Sequence, residues 1–198
     1  MPIIRSGSHK NRGLPRYSTR IILGAAIAIL GISSGHAAPS CEPWAGKALS
    51  IEGTVEVRQA GKTGWLPVTL QDIFCPGDSV RVDRRSRAAI LLPNETLLRL
   101  DEGSSLSFPQ LEKEITSWLD LLKGAVHFIS RTPRSFNIRT PFVNAGIEGT
   151  EFAVRVEPAQ TLIWVFEGQV LASNLQGELT LARGEAAAAE KGKAPTRR

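Results

Sequence analysis

No acidic residue occurs in the first 37 positions, cysteine occurs only at Cys41 and Cys75, and one histidine, His127, follows position 37. Each scarcity closes off a kind of chemistry. The two cysteines are too far apart for a C-x-x-C redox pair, and no His or acidic partner stands near them at metal-ligand spacing. His127 lies in the alternating run Val126 to Ile129 without a second ligand; a lone histidine makes no metal site, so it reads as a surface or core residue. Neither an S-x-x-K pair nor an H-E-x-x-H stretch is present, which leaves hydrolase chemistry without support. No catalytic residue, metal or cofactor is expected.

A long apolar run is also missing. The stretch from Ile21 to Ile32 has 12 apolar or small residues, against the roughly 20 that cross a bilayer as a helix. It follows Arg5, Lys10, Arg12, Arg16 and Arg20 and closes on Gly35, Ala37 and Ala38. That order of basic, apolar and small residues predicts a cleavable secretory signal peptide over residues 1–37 and a periplasmic address. An uncleaved chain would be membrane-anchored; after cleavage no membrane span remains. Ala38, Pro39 and Ser40 before Cys41 do not form a Leu-led lipidation box.

Charge follows from the same segment. The chain has 24 basic and 19 acidic residues, and removing the five basic residues of positions 1–37 leaves 19 against 19. The sequence pI near 9.6 is thus a property of the leader, and it gives no ground for a nucleic-acid partner. In an exported chain the two cysteines pair most simply with each other. A Cys41–Cys75 bridge closes a loop of about 35 residues, worth about 3–4 kcal/mol when unstrained.

From Ala48 onward the sequence falls into short alternating runs cut by Gly, Pro, Asn and Asp, the pattern of strands. Val55 and Val57, the turn Gly61-Lys62-Thr63-Gly64, then Trp65, Leu66 and Val68 outline a hairpin. Further runs are Val80 to Val82, Ala88 to Leu92, Leu97 to Leu100, Ala125 to Ile129, Phe136 to Ile138, Phe152 to Val156 and Leu162 to Phe166. Leu111 to Leu122 is ambiguous between helix and strand, with strand preferred. Three short echoes, Glu52-Gly53-Thr54-Val55, Lys123-Gly124-Ala125-Val126 and Glu167-Gly168-Gln169-Val170, place Gly ahead of a β-branched residue at corners of a rolled sheet. The expected architecture is all-β: a signal peptide (1–37), an N-terminal segment (38–47), one rolled β-sandwich or solenoid-like domain of short antiparallel strands (48–184) and a flexible tail (185–198).

The order of these pieces resembles the FecR domain family from about Ile51 to Gly184. The carrying residues are Gly53 with Val55, Trp65 with Val68, Pro76-Gly77-Asp78, Val80-Arg81-Val82, Ser86-Arg87-Ala88, Leu122 with Gly124, and Thr140-Pro141 leading to Glu148-Gly149-Thr150-Glu151-Phe152. Thr140 to Ala145 is also similar to the branch in which such a domain precedes tetratricopeptide repeats, although no repeat pattern follows Gly184. The resemblance implies a periplasmic interaction domain. Its better-known members are membrane-spanning regulators with a cytoplasmic anti-sigma segment; here about 20 residues precede the apolar run, too few for such a module, so that role does not carry over directly.

Each motif also has a plain structural reading. Pro76-Gly77-Asp78 suits a tight turn, with Asp bonding nearby amides. Glu148 and Glu151 are the one carboxylate pair that suggests acid–base chemistry, but three positions apart on a regular strand they face opposite sides. Trp44, Trp65, Trp118 and Trp164 are expected as core anchors in preference to a sugar-stacking face. The expected function is non-catalytic protein–protein contact in envelope signalling, as sensor or scaffold, through an exposed strand edge. The alternative is a module that binds peptidoglycan or another envelope glycan. The envelope partner has no identity in the sequence.

Overall fold

The computed structural model describes residues 41–109, 117–130 and 135–198, with the backbone alone at 117, 135 and 148–150. The expected signal peptide and residues 111–116 lie outside the described residues. The chain divides into residues 1–36 and residues 37–198, and every described strand belongs to the second unit.

The described residues contain no helix. Eight short strands come first: β1 (Gly46–Glu52), β2 (Val55–Arg58), β3 (Leu66–Pro67), β4 (Ile73–Phe74), β5 (Ser79–Val82), β6 (Arg87–Leu91), β7 (Leu97–Leu100) and β8 (Ser105–Ser107). Seven more follow: β9 (Ser117–Ile129), β10 (Ser135–Arg139), β11 (Asn144–Val156), β12 (Gln160–Asn174), β13 (Gly177–Ala182), β14 (Ala186–Glu190) and β15 (Thr196–Arg197). The all-β expectation holds, and the β2–β3 hairpin forms with Val57 opposite Leu66. Two features depart from short antiparallel strands: β9, β11 and β12 run 13, 13 and 15 residues, and β10 pairs β9 in parallel.

The long strands are long because each serves two sets of neighbours. Residues 117–123 of β9 pair β10 and β8, and residues 124–129 pair β11 and β7. β12 pairs β14 through Gln160–Trp164 and β13 through Gln169–Asn174. β11 pairs β10 up to Glu148 and β9 from Glu151, with a register shift between. Gly124 and Gly168 sit at two of these exchanges with φ of 83° and 76°, and Gly53 (φ 73°) marks the passage from β1 to β2. The three sequence echoes are therefore corners at which the chain leaves one set of partners for another, the left-handed backbone being cheap only for glycine.

At two corners a serine hydroxyl from the facing turn closes the gap. Ser86 Oγ accepts from Thr54 N (2.9 Å) beside Gly53. Ser104 Oγ accepts from Ala125 N (3.0 Å) and donates to Ala125 O (2.9 Å) beside Gly124. A methyl group at Gly124 would collide with the Ser104 backbone.

Alternation along the strands drives one continuous core. Phe128 stacks on Phe152 with ring centroids 4.6 Å apart and meets Phe136 at 6.1 Å. Phe74 stacks on Phe108 at 5.5 Å. The expected tryptophan anchors are a correction: Trp44, Trp65, Trp118 and Trp164 are all half-buried, and phenylalanines fill the core instead. An indole N–H needs a polar partner that a close-packed sheet interior does not supply.

A second correction concerns the C-terminus. Residues 185–198, expected as a flexible tail, form β14 and β15; Ala187, Ala188 and Ala189 are buried and β14 pairs β12. Alanine has little apolar surface and no periodic signature, but its small volume fits a crowded ladder.

Candidate interaction surface

The family-motif residues do not converge on one point. The Cys41–Cys75 disulfide is formed, with Cα atoms 5.8 Å apart, and it ties the segment entering β1 to the turn before β5. In that turn buried Asp78 uses both carboxylate oxygens, accepting from Cys75 N (2.8 Å) and Ala60 N (2.9 Å). Gly77 has a φ of 92° and its amide donates to Phe108 O. Trp65 lies on the surface under two cations, the guanidinium carbons of Arg81 and Arg58 at 4.2 and 5.1 Å from its ring centroid, while Arg81 also pairs with Glu56 at 2.6 Å.

The Thr140-Pro141 turn is held by Thr140 Oγ1, which donates to Val143 O (2.6 Å). From there β11 runs through Glu148, Gly149 and Thr150 to Glu151 and Phe152. The register shifts at Glu148/Glu151 and Glu151/Phe152 remove the premise of a regular strand on which the two carboxylates were expected to oppose each other. Phe152 points into the core. Glu151 Oε1 lies 3.0 Å from His127 Nε2, an ion-pair distance without hydrogen-bond alignment; the two meet across the β9–β11 ladder, where Ile129 stands opposite Glu151 and His127 opposite Ala153. Phe166 approaches His127 edge-on at 5.4 Å.

One motif residue, Arg87, joins residues that no motif contains. It pairs with Asp101 at 3.4 Å at the rim of a shallow groove of about 680 Å³ on the outward face of β6, β7, β9, β11 and β12. Arg99, His127, Arg155, Trp164 and Phe166 also line it. Strand alternation makes each of these legible as outward-facing; their assembly depends on cross-strand register, which the sequence does not carry.

Elsewhere on the surface, Asp120 grips Arg139 with two bonds, Nε–Oδ1 at 2.8 Å and Nη2–Oδ2 at 2.9 Å. The hydrogen bond, reinforced by the carboxylate charge, raises the Arg139 pKa above its ordinary value. Glu185 and Glu190 are held below the usual glutamate value, the first by the Ala182 amide with Arg197 assisting, the second by Lys193. Among the described residues no three His, Cys, Asp or Glu side chains cluster to hold a metal ion, and no helix is long and apolar enough to cross a membrane.

The family described as FecR protein matches residues 78–171. No curated protein matches the sequence. Among solved structures, two crystal structures of a "putative anti-sigma factor" from Parabacteroides distasonis ATCC 8503, at 1.65 and 2.50 Å resolution, are similar in fold. Each aligns with a TM-score of 0.54 at 17% sequence identity, over 61% of this chain and 58% of that one. The alignment thus spans somewhat over half the length of those relatives.

Proposed function

Because residues 78–171 match the FecR protein family, we propose that the chain is a non-catalytic periplasmic module that works by protein–protein contact, as a sensor or scaffold in envelope signalling. The domain match is the observation that carries this reading. The resemblance to FecR domains implies an envelope-associated regulatory protein, and a structural neighbour is named for an anti-sigma role; both support signalling over catalysis. The basic, apolar, small-residue order of positions 1–37 supports export.

The contact mode that fits is addition of a partner strand to a free edge. Among the described strands with a single pairing neighbour, β13 is the longest. Two of its backbone groups are held by side chains: Thr180 O accepts from Arg197 Nη2 (3.0 Å) and Ala182 N donates to Glu185 Oε2 (2.8 Å). Both contacts are exposed, so an incoming strand exchanges two side-chain bonds for ladder bonds at little net cost.

A photo-crosslinking amino acid at Thr180 of the full chain, expressed in its host, tests this. One discrete adduct with an envelope protein is expected, with none from the same group at Lys62 in the β2–β3 turn. No adduct at Thr180, or equal adducts at both positions, overturns the reading. A second reading, binding of an envelope glycan, is favoured by one observation: Trp164 lines an open groove instead of the core.

A further inference from the structure

On the groove-bearing face, Arg99, His127, Ala153 and Trp164 stand opposite one another on four adjacent strands. With strands about 4.8 Å apart, the row measures about 14 Å from Arg99 to Trp164. Ala153 in this row, and Ala125 opposite Arg155 in the next, offer only methyl groups. Between larger neighbours they make the floor of the groove.

Its charge is unbalanced. Arg99 and Arg155 are exposed, and neither has an ion-pair partner among the described residues. Of the acids nearby, Asp101 is paired with Arg87, while Glu151, beside His127, and exposed Glu167, opposite it in the ladder, both lie outside the groove lining. Two free guanidinium groups thus overlook an alanine floor that ends on a half-buried indole.

We propose that this groove binds an anionic saccharide, with a sugar ring stacked on Trp164 and its acid group held by Arg99 and Arg155. The proposal rests on the glycan reading and gives it a site. Guanidinium groups are planar forks that match carboxylate or phosphate oxygens, and an indole plane suits the apolar face of a pyranose ring. The floor also discriminates against a peptide. Its backbone N–H and C=O groups are already paired in the β7–β9–β11–β12 ladders, so an extended peptide laid over the alanines would press its own amides against methyl groups without partners. A saccharide turns its hydroxyls to the rim and to water, and a peptide finds its bonds at a strand edge.

Isothermal titration of the full chain provides the test, with four probes: a carboxylated oligosaccharide, a phosphorylated one, a neutral one of equal length and an acidic peptide. Binding of either anionic saccharide in preference to the neutral one and the peptide is expected, and the better of the two identifies the source of the charge. Arg99→Ala, Arg155→Ala and Trp164→Ala should each weaken it at least tenfold while leaving the unfolding midpoint near that of the parent. Ala153→Leu, which fills the floor with a larger apolar side chain, should abolish it. Binding that survives all four substitutions overturns the groove assignment and leaves the glycan reading standing. If the parent chain binds none of the saccharides, both fall. Preference for the acidic peptide overturns the ligand class.

Discussion

The eight strands before residue 110 and the strands after residue 116 meet the same geometric demand, passing from one set of neighbours to another, in different ways. In the first region strands are two to seven residues long, and the chain breaks at Gly53 to start a new strand. Local fasteners then hold the pieces: the Cys41–Cys75 bridge, the Asp78 carboxylate and the Ser86 hydroxyl. In the second region β9 and β12 continue through Gly124 and Gly168, so extended ladders carry the cohesion. Short strands need covalent and side-chain ties because each contributes few ladder bonds; long strands need a residue that bends without breaking.

The largest effect should come from breaking a bend. Gly124→Ala combines a left-handed backbone with collision against Ser104 and should cost about 4 kcal/mol in urea unfolding. Gly103→Ala, at φ 69° with open space around it, should cost about 1–2 kcal/mol. Equal losses would mean that φ alone, and not the Ser104 contact, sets the requirement at Gly124.

Reducing the disulfide should cost about 3–4 kcal/mol for a loop of this length, and its footprint matters more than its size. Hydrogen exchange should rise first in β1 and β4, next to the bridge, while amides of β9, β11 and β12 stay protected. A uniform rise would erase the distinction between the two regions.

Acid should give the smallest effect, confined to the C-terminal strands. The Glu185 carboxylate is held below its ordinary value of 4.5, chiefly by the Ala182 amide. A depressed folded-state pKa contributes stability above the unfolded value, and that contribution disappears as pH falls through the folded one. The protection factor of the Ala182 amide against exchange should therefore fall below about pH 4.5, and Glu185→Gln should remove the dependence. A fall in protection that persists in the variant would assign the effect to another group.

The interior runs of the strands were legible because alternation places one face in the core: Leu97 to Leu100 is β7 to the residue. Pairing of Cys41 with Cys75 was legible because the chain holds no third cysteine. β14 was not, since Ala186 to Ala189 has neither β-branching nor alternation and is strand only because β12 offers it a ladder. Among the candidate site residues, Asp78 and the corner glycines announce their backbone roles through turn chemistry. Arg99 and Arg155 announce nothing, each being one charged residue on the outward side of a strand.

By itself the sequence determined the all-β class, the disulfide, the glycine corners and the resemblance to FecR domains, because each depends on residue type and near neighbours along the chain. Only the tertiary structure decided which side chains share a surface. Arg99 and Trp164 are 65 positions apart and belong to one groove solely through the register of β7, β9, β11 and β12. A slip of one residue in any of those ladders would turn that strand's groove residues to the opposite face, and no local pattern around either residue encodes that alignment.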